Sequence, residues 1–327
     1  MNPKRIGVAS MYGDAPTILN RIEELEEKKI PVSWLSTGGV RLDGLTLFAA
    51  AAARTSNIMM GTCITPTFPR HPMATVQQIQ VIASLAPGRF RIGLGPSGKE
   101  GVENMLGLKF SSPFGHLQEY VRIVKGLLHD RTIDYEGEHY QVHARLNEKV
   151  HDDIADAMSE VGVMISALRP KSYEFAGAEA DGAISWVSPY EYLRDVALPA
   201  MKAGAQRAGR DTPPLIAHAP VVVHEDRAEV KAAVRSYLKP YPTRPNYQAM
   251  FVEAGYPEAA ETGTWSDRMI DSQVISGTET QVADRIQELF DWGIDELICD
   301  IQPAGEDPKV SWNRTIDLLA DVAARQA

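Results

Sequence analysis

Three segments of this 327-residue sequence set chemistry-bearing residues where a strand gives way to a helix. The first is Gly61-Thr62-Cys63-Ile64-Thr65-Pro66-Thr67-Phe68-Pro69-Arg70-His71-Pro72. Pro72 suits a first helical position, where a missing N–H costs nothing, so His71 reads as a helix-entry residue. The second runs from Pro87 to Ser97-Gly98 and holds Gly93 and Gly95, whose bare backbone can approach a bound group closely. It is not the dinucleotide-binding fingerprint, because the third glycine and the later acidic residue are not suitably placed. The third, Val163 to Pro170, is a strand that turns into a helix. Exposed amides at the start of that helix, with the Arg169 guanidinium nearby, would make a phosphate seat there. Arg169 as a plain surface charge is the competing reading.

Other reactive side chains offer less. Glu100 and His116 are candidate proton donors, but no acid or base can be assigned from the sequence. His139 and His143 are four residues apart and flank a predicted hairpin, so they need not share a face, and no metal is expected. No Gly-x-Ser-x-Gly elbow and no P-loop occurs, which removes the simplest hydrolase and NTPase readings. Cys63 and Cys299 lie in strand-like stretches without disulfide or metal spacing, as expected in a reduced compartment.

Short β-rich runs position these segments. Strands are predicted near 4–9, 31–36, 58–64, 90–95, 161–167, 182–187, 215–223 and 296–301, most of them followed by an amphipathic stretch. Eight such units and a last helix near 310–325 predict an α/β fold, a (β/α)8 TIM barrel with insertions, in one domain spanning 1–327. Leu117, Tyr120, Val121, Val124 and Leu128 follow helical spacing. Thr278 with Gln281, and Ser188 with Pro189 and Glu191, read as capping boxes. Two interruptions, about 130–160 and 240–275, are predicted to be insertions that could cover the site. The first carries a hairpin-like segment, Asp134–Val142, and an acidic stretch from His151 to Asp156. A net charge of −10 argues against nucleic acid and anionic membranes as partners. The absence of a long apolar run or signal-peptide pattern predicts a cytoplasmic protein.

In order along the chain, the segment from Gly61 to Pro72, the glycine strand from Pro87 to Gly98, Glu119-Tyr120-Val121, Val163 to Pro170, Ala180-Asp181-Gly182-Ala183-Ile184-Ser185-Trp186 and Gly277 to Ala283 resemble the luciferase-like flavin and deazaflavin oxidoreductases. The stretch Cys63 to Pro66 is most similar to the coenzyme F420-dependent branch that includes methylenetetrahydromethanopterin reductase. The resemblance implies a non-prolyl cis peptide between Cys63 and Ile64 behind the cofactor ring. It also implies room at Gly93 and Gly95, phosphate at Ser166, Ala167, Leu168 and Arg169, and Ser185 or Trp186 bordering the ring or tail. Thr37 and Ser97 are candidates for hydrogen bonds to the ring edge or substrate. The sequence departs from sugar-phosphate dehydrogenases of that branch at Trp34-Leu35-Ser36-Thr37-Gly38, which lacks their histidine, and at Gly98, where they carry a glutamate.

The implied activity is hydride transfer between coenzyme F420 and a small organic substrate, in a homodimer. FMN-dependent monooxygenation is the alternative enzyme reading, and a non-catalytic flavin-binding barrel is the alternative outside enzymes.

Overall fold

The computed structural model describes residues 3–146 and 152–326. Its barrel strands are β1 Arg5–Ala9, β2 Val32–Leu35, β3 Met59–Thr62, β4 Phe90–Gly95, β5 Gly162–Ser166, β6 Ala183–Ser185, β7 Leu215–Val223 and β8 Glu296–Ile301. Each pairs in parallel with the next, and β8 pairs with β1 through Arg5↔Glu296 to Val8↔Cys299, which closes the barrel. The eight predicted strands are therefore the eight of the barrel. Because strand side chains alternate, one set points inward. Ala9, Trp34, Cys63, Met164, Ile184, Ile216 and Ile298 form that inner cluster, while the other set packs against the surrounding helices.

Trp34 fills the lower barrel. A methyl group on Gly7 or Gly61 would collide with its indole, so those two glycines make the space it occupies. The indole N–H and the Arg91 guanidinium both donate to Glu296 Oε1, each at 2.8 Å, and the guanidinium also lies over the indole. This end of the barrel is a buried polar plug, hydrogen-bonded through Glu296 and with only Arg91 Nε unpartnered among these three side chains. Chemistry must therefore sit at the other end, where the strands' carboxyl termini open into loops.

The two segments read as insertions carry secondary structure of their own. Thr132–Glu136 and Gln141–Arg145 form an antiparallel hairpin, followed after 147–151, which lie outside the described residues and include His151, by the helix Asp152–Ser159. The second insertion carries the helices Pro245–Glu253, Glu258–Thr262 and Asp267–Asp271, then a short strand, Ile275–Gly277, that joins the edge of β7.

Local signals mostly acted as read. Thr278 and Gln281 make a reciprocal cap for the helix Glu279–Asp291, and His71 caps Pro72–Leu85 through Met73 N–H at 3.2 Å. The predicted box at Ser188 does not form. Val187 adopts a left-handed backbone, φ 51°, Pro189 takes the cap position, and the Ser188 hydroxyl is buried beside Tyr173.

Candidate active site

The loops after β1, β2 and β3 build one side of the barrel mouth. A cleft of about 360 Å³ lies between the first two, lined by Met11, Tyr12, Leu35, Ser36, Val40 and Arg41 among others. Just beyond β3 the Cys63–Ile64 peptide is cis. Backbone bonds pin this bulge to the neighbouring loop: Cys63 N–H donates to Leu35 O at 2.8 Å, and Thr37 N–H donates to Ile64 O at 3.1 Å. Cleft wall and bulge are thus one backbone unit. Thr37 Oγ1 in turn accepts from Gly44 N–H at 2.9 Å, so this hydroxyl first secures the start of the helix Gly44–Ala52 and retains only its own proton to donate.

The glycines of β4 serve the protein's own packing. Thr62 Oγ1 bridges the N–H and C=O of Gly93, at 2.8 and 2.9 Å, and a methyl there would strike the Thr62 carbonyl. A methyl on Gly95 would instead meet the Ser166 hydroxyl and the end of Ile64. The space a methyl would take at these two positions is filled by Thr62 and Ile184 at Gly93 and by Ser166 and Ile64 at Gly95. Ser97 follows on an exposed turn with φ 64°.

The loop after β5 is already engaged. Ala167 N–H donates to Ile184 O, and the N–H groups of Leu168 and Arg169 donate to Ser172 Oγ at 3.1 and 3.2 Å. Arg169 pairs with Glu253 of the second insertion at 2.7 Å. Ser166, half-buried, stands at the end of its strand beside Gly95. A phosphate placed here would take over donors that Ser172 and Glu253 now satisfy.

Ser185 and Trp186 part company, as strand alternation demands. Ser185 is buried on the outer face of β6 near Tyr173, away from the inner cluster. Trp186 faces inward, stacks on His218 with ring centroids 3.7 Å apart, and donates from Nε1 to Tyr241 Oη at 2.7 Å. The second insertion therefore reaches the mouth through Tyr241 as well as Glu253.

His218 belongs to a buried polar network that the sequence reading missed. Its Nε2 lies 3.3 Å from Asp300 Oδ2, the same oxygen accepts from the Tyr237 hydroxyl, and Tyr237 Oη accepts from Tyr12 at 2.8 Å. His218 and Asp300 sit in adjacent strands, where Asp300 pairs with Pro220 two residues beyond His218. Ionisable residues interrupting the apolar runs Leu215–Val223 and Glu296–Ile301 were the available signal. Burial, and then the Asp300 charge, push the Cys63 thiol far above its usual range, so Cys63 is a neutral wall of the site and not a nucleophile.

A second cluster flanks the mouth. His116 stacks on Phe68 with centroids 4.0 Å apart, and its ring nitrogens meet Thr67 Oγ1 at 3.3 Å and the Tyr140 hydroxyl at 2.8 Å. Burial, then His139, push its pKa down to about 4, so at neutral pH this imidazole holds no spare proton. Glu119 accepts from the N–H groups of Glu138, His139 and Tyr140 and so clasps the hairpin turn. His143 faces Asp134 and Glu136 on the exposed hairpin strands, whereas His139 turns toward His116. Among the described residues no three His, Cys, Asp or Glu side chains converge as metal ligands, and no helix is long and apolar enough to cross a membrane. Glu100 is exposed on the loop after β4.

The sequence profile of the luciferase-like monooxygenases matches residues 3–296. The chain belongs to that family. Over 185 residues it is 32% identical to an F420-dependent glucose-6-phosphate dehydrogenase of Segniliparus rotundus, a match covering 54% of this chain and 53% of the relative, so the chain spans about half that relative's length. A longer match, 25% identical over 319 residues, joins it to the 5,10-methylenetetrahydromethanopterin reductase of Archaeoglobus fulgidus and covers 88% of this chain and 89% of that one. In fold it is similar to a solved F420-dependent secondary alcohol dehydrogenase in complex with an F420-acetone adduct, with a TM-score of 0.81 at 18% identity and 99% of both chains covered.

Proposed function

We propose that this luciferase-like protein transfers a hydride between coenzyme F420 and a small organic substrate at the barrel mouth. The observation that carries the reading is the nearly end-to-end match with an archaeal 5,10-methylenetetrahydromethanopterin reductase. The mouth fits a flat, phosphate-bearing cofactor on its own terms. A cleft of about 360 Å³ falls in the size range of small-molecule sites, it adjoins a backbone bulge locked to its wall, and Tyr12 in its lining is hydrogen-bonded through Tyr237 and Asp300 to His218, whose buried Nδ1 has no partner.

In this reading the backbone of Cys63 and Ile64 supports one face of the ring, with Met11, Ser36, Thr37 and Ser97 around its edge and Trp186 below. Ser166 to Arg169 hold the phosphate once Arg169 leaves Glu253. When bound, the deazaflavin supplies the carbon that takes or gives the hydride, and the chain's residues orient it, exclude water and manage the proton. The glycine at position 98 and the absence of histidine from Trp34 to Gly38 disfavour sugar phosphates, and the exposed apolar rim of Val40, Leu42, Met105, Leu106 and Leu108 favours a less polar substrate. A single barrel domain, homodimerisation and a cytoplasmic location complete the proposal.

The test is turnover of reduced F420 by the purified protein with a panel of ketones, enones, imines and pterins. Oxidation of the coenzyme that depends on one substrate class is the expected result. Inertness with F420 bound would favour the non-catalytic barrel, and oxygen-dependent turnover with reduced FMN alone would favour the monooxygenase.

A further inference from the structure

The network beneath the mouth has the form of a proton relay. His218 is fully buried in the described structure, its Nε2 meets Asp300, and its Nδ1 has no hydrogen-bond partner. A carboxylate that accepts from one ring nitrogen fixes the tautomer and leaves the other nitrogen with a bare lone pair. The far end of the network is wet. Tyr237 donates to Asp300, Tyr12 donates to Tyr237, and Tyr12 is 44% exposed and lines the cleft. A buried polar atom left without a partner is costly, and here it is joined by three successive hydrogen bonds to solvent.

We infer that His218 exchanges the substrate's proton during hydride transfer, with Asp300 orienting its ring and Tyr237 and Tyr12 connecting it to water. The inference rests on the deazaflavin reading for the hydride acceptor only. When an alcohol-type substrate is oxidised, its C–H bond breaks with both electrons toward the deazaflavin. Its O–H bond breaks with the proton going to His218 Nδ1, and a C=O bond forms. The Nε2 proton then passes to Asp300; the hydroxyls of Tyr237 and Tyr12, which donate inward at rest, turn to donate outward so that successive hops release one proton to water, and return of the ring proton from Nδ1 to Nε2 and of the hydroxyls restores the resting state. Reduction of a carbonyl runs the same path inward, starting from the Nδ1-protonated ring. Other titratable or charged groups facing this path are Tyr241, which interacts with Asp300, the thiols of Cys63 and Cys299, both raised by burial and by Asp300, and Arg41 near Tyr12. Neither thiol carries charge at neutral pH, which leaves His218 and Asp300 as the exchanging pair.

The first arm of the test needs no cofactor. Histidine side-chain nitrogen NMR on the full chain, with His218 identified by its loss in His218→Gln, is expected to show Nε2 protonated and Nδ1 bare. Asp300→Asn should shift that pattern, and Tyr237→Phe should keep it while slowing exchange of the Nε2 proton with water. A Nδ1-protonated neutral ring, or exchange unchanged in Tyr237→Phe, would overturn the relay. In the second arm, His218→Gln is expected to lose about 100-fold or more in kcat, the usual scale for a positioned proton donor or acceptor, with a far smaller change in F420 affinity. Full kcat in that variant would also overturn it. Failure of the unaltered protein to bind F420 would sink the cofactor reading and leave the first arm to decide the relay.

Discussion

Arg91 and Glu296 meet at 2.8 Å inside the barrel, both nearly inaccessible to water, and the same carboxylate oxygen accepts from Trp34. This pair closes the amino-terminal end and leaves the opposite mouth as the place for a ligand. Breaking a buried pair from one side strands a charge, which costs about 3–5 kcal/mol. Glu296→Leu is therefore expected to lose stability on that scale in denaturant unfolding. Arg91→Met combined with Glu296→Leu should recover part of it, because the Arg91 charge is no longer stranded while the buried Trp34 N–H still lacks its acceptor.

Gly93 and Gly95 lie two residues apart on one strand face and differ in what a methyl would meet. At Gly93 it is the Thr62 carbonyl, which is fixed backbone; at Gly95 it is chiefly the ends of side chains, which can move. Gly93→Ala is expected to cost about 3 kcal/mol or more, and Gly95→Ala about 1 kcal/mol, on the scale of overpacked cores. Equal midpoints for the two variants in urea would contradict the assignment.

Much of this arrangement was legible in the sequence, and the parts that were not have identifiable causes. All eight strands could be read because each is a short apolar or glycine-containing run bounded by helix starts, and the bulge at Cys63–Ile64 stands where the family resemblance put it. That Ser185 and Trp186 point to opposite sides follows from strand alternation, and it is the structure, by placing Ile184 in the inner cluster, that shows Trp186 to be the inward one. Spacing gave no hint of the partnership of His218 with Asp300, because 82 residues separate them and only the pairing of β7 with β8 brings them together. The proposed phosphate seat was read without the groups that engage it in this structure: Ser172 lies one turn into the following helix, and Glu253 arrives from a segment whose packing no local pattern reveals.

That competition yields a prediction. If Arg169 holds a cofactor phosphate, Arg169→Ala should weaken F420 binding by about tenfold or more, since a hydrogen bond to a charged group contributes about 1.5–3 kcal/mol. Glu253→Gln should strengthen it by freeing the guanidinium. Isothermal titration of both variants checks the pair, and unchanged affinity in Arg169→Ala would remove this residue from the site.

His116 gives the fold a pH dependence of known sign. Its pKa is pushed from 6.5 down to about 4 by burial and then by His139, against the opposing charge of Glu119. Between those values the unfolded chain binds a proton that the folded protein refuses, so stability falls as pH drops from 6.5 toward 4 and is unaffected above that window. Urea unfolding of His116→Gln across the same range should show a shallower acid loss than the unaltered protein. Parallel curves would mean that the imidazole is already protonated in the folded state.

The central claim is that the mouth framed by Tyr12, Ser36, Cys63–Ile64 and Trp186 receives a deazaflavin. Equilibrium titration of the purified apoprotein with F420 and, separately, with FMN tests it most directly. Saturable binding of F420 with clearly weaker binding of FMN, lost when the bulge is altered by Ile64→Trp in a protein that still melts cooperatively, is the predicted result. Tight FMN binding with no measurable affinity for F420 would contradict it.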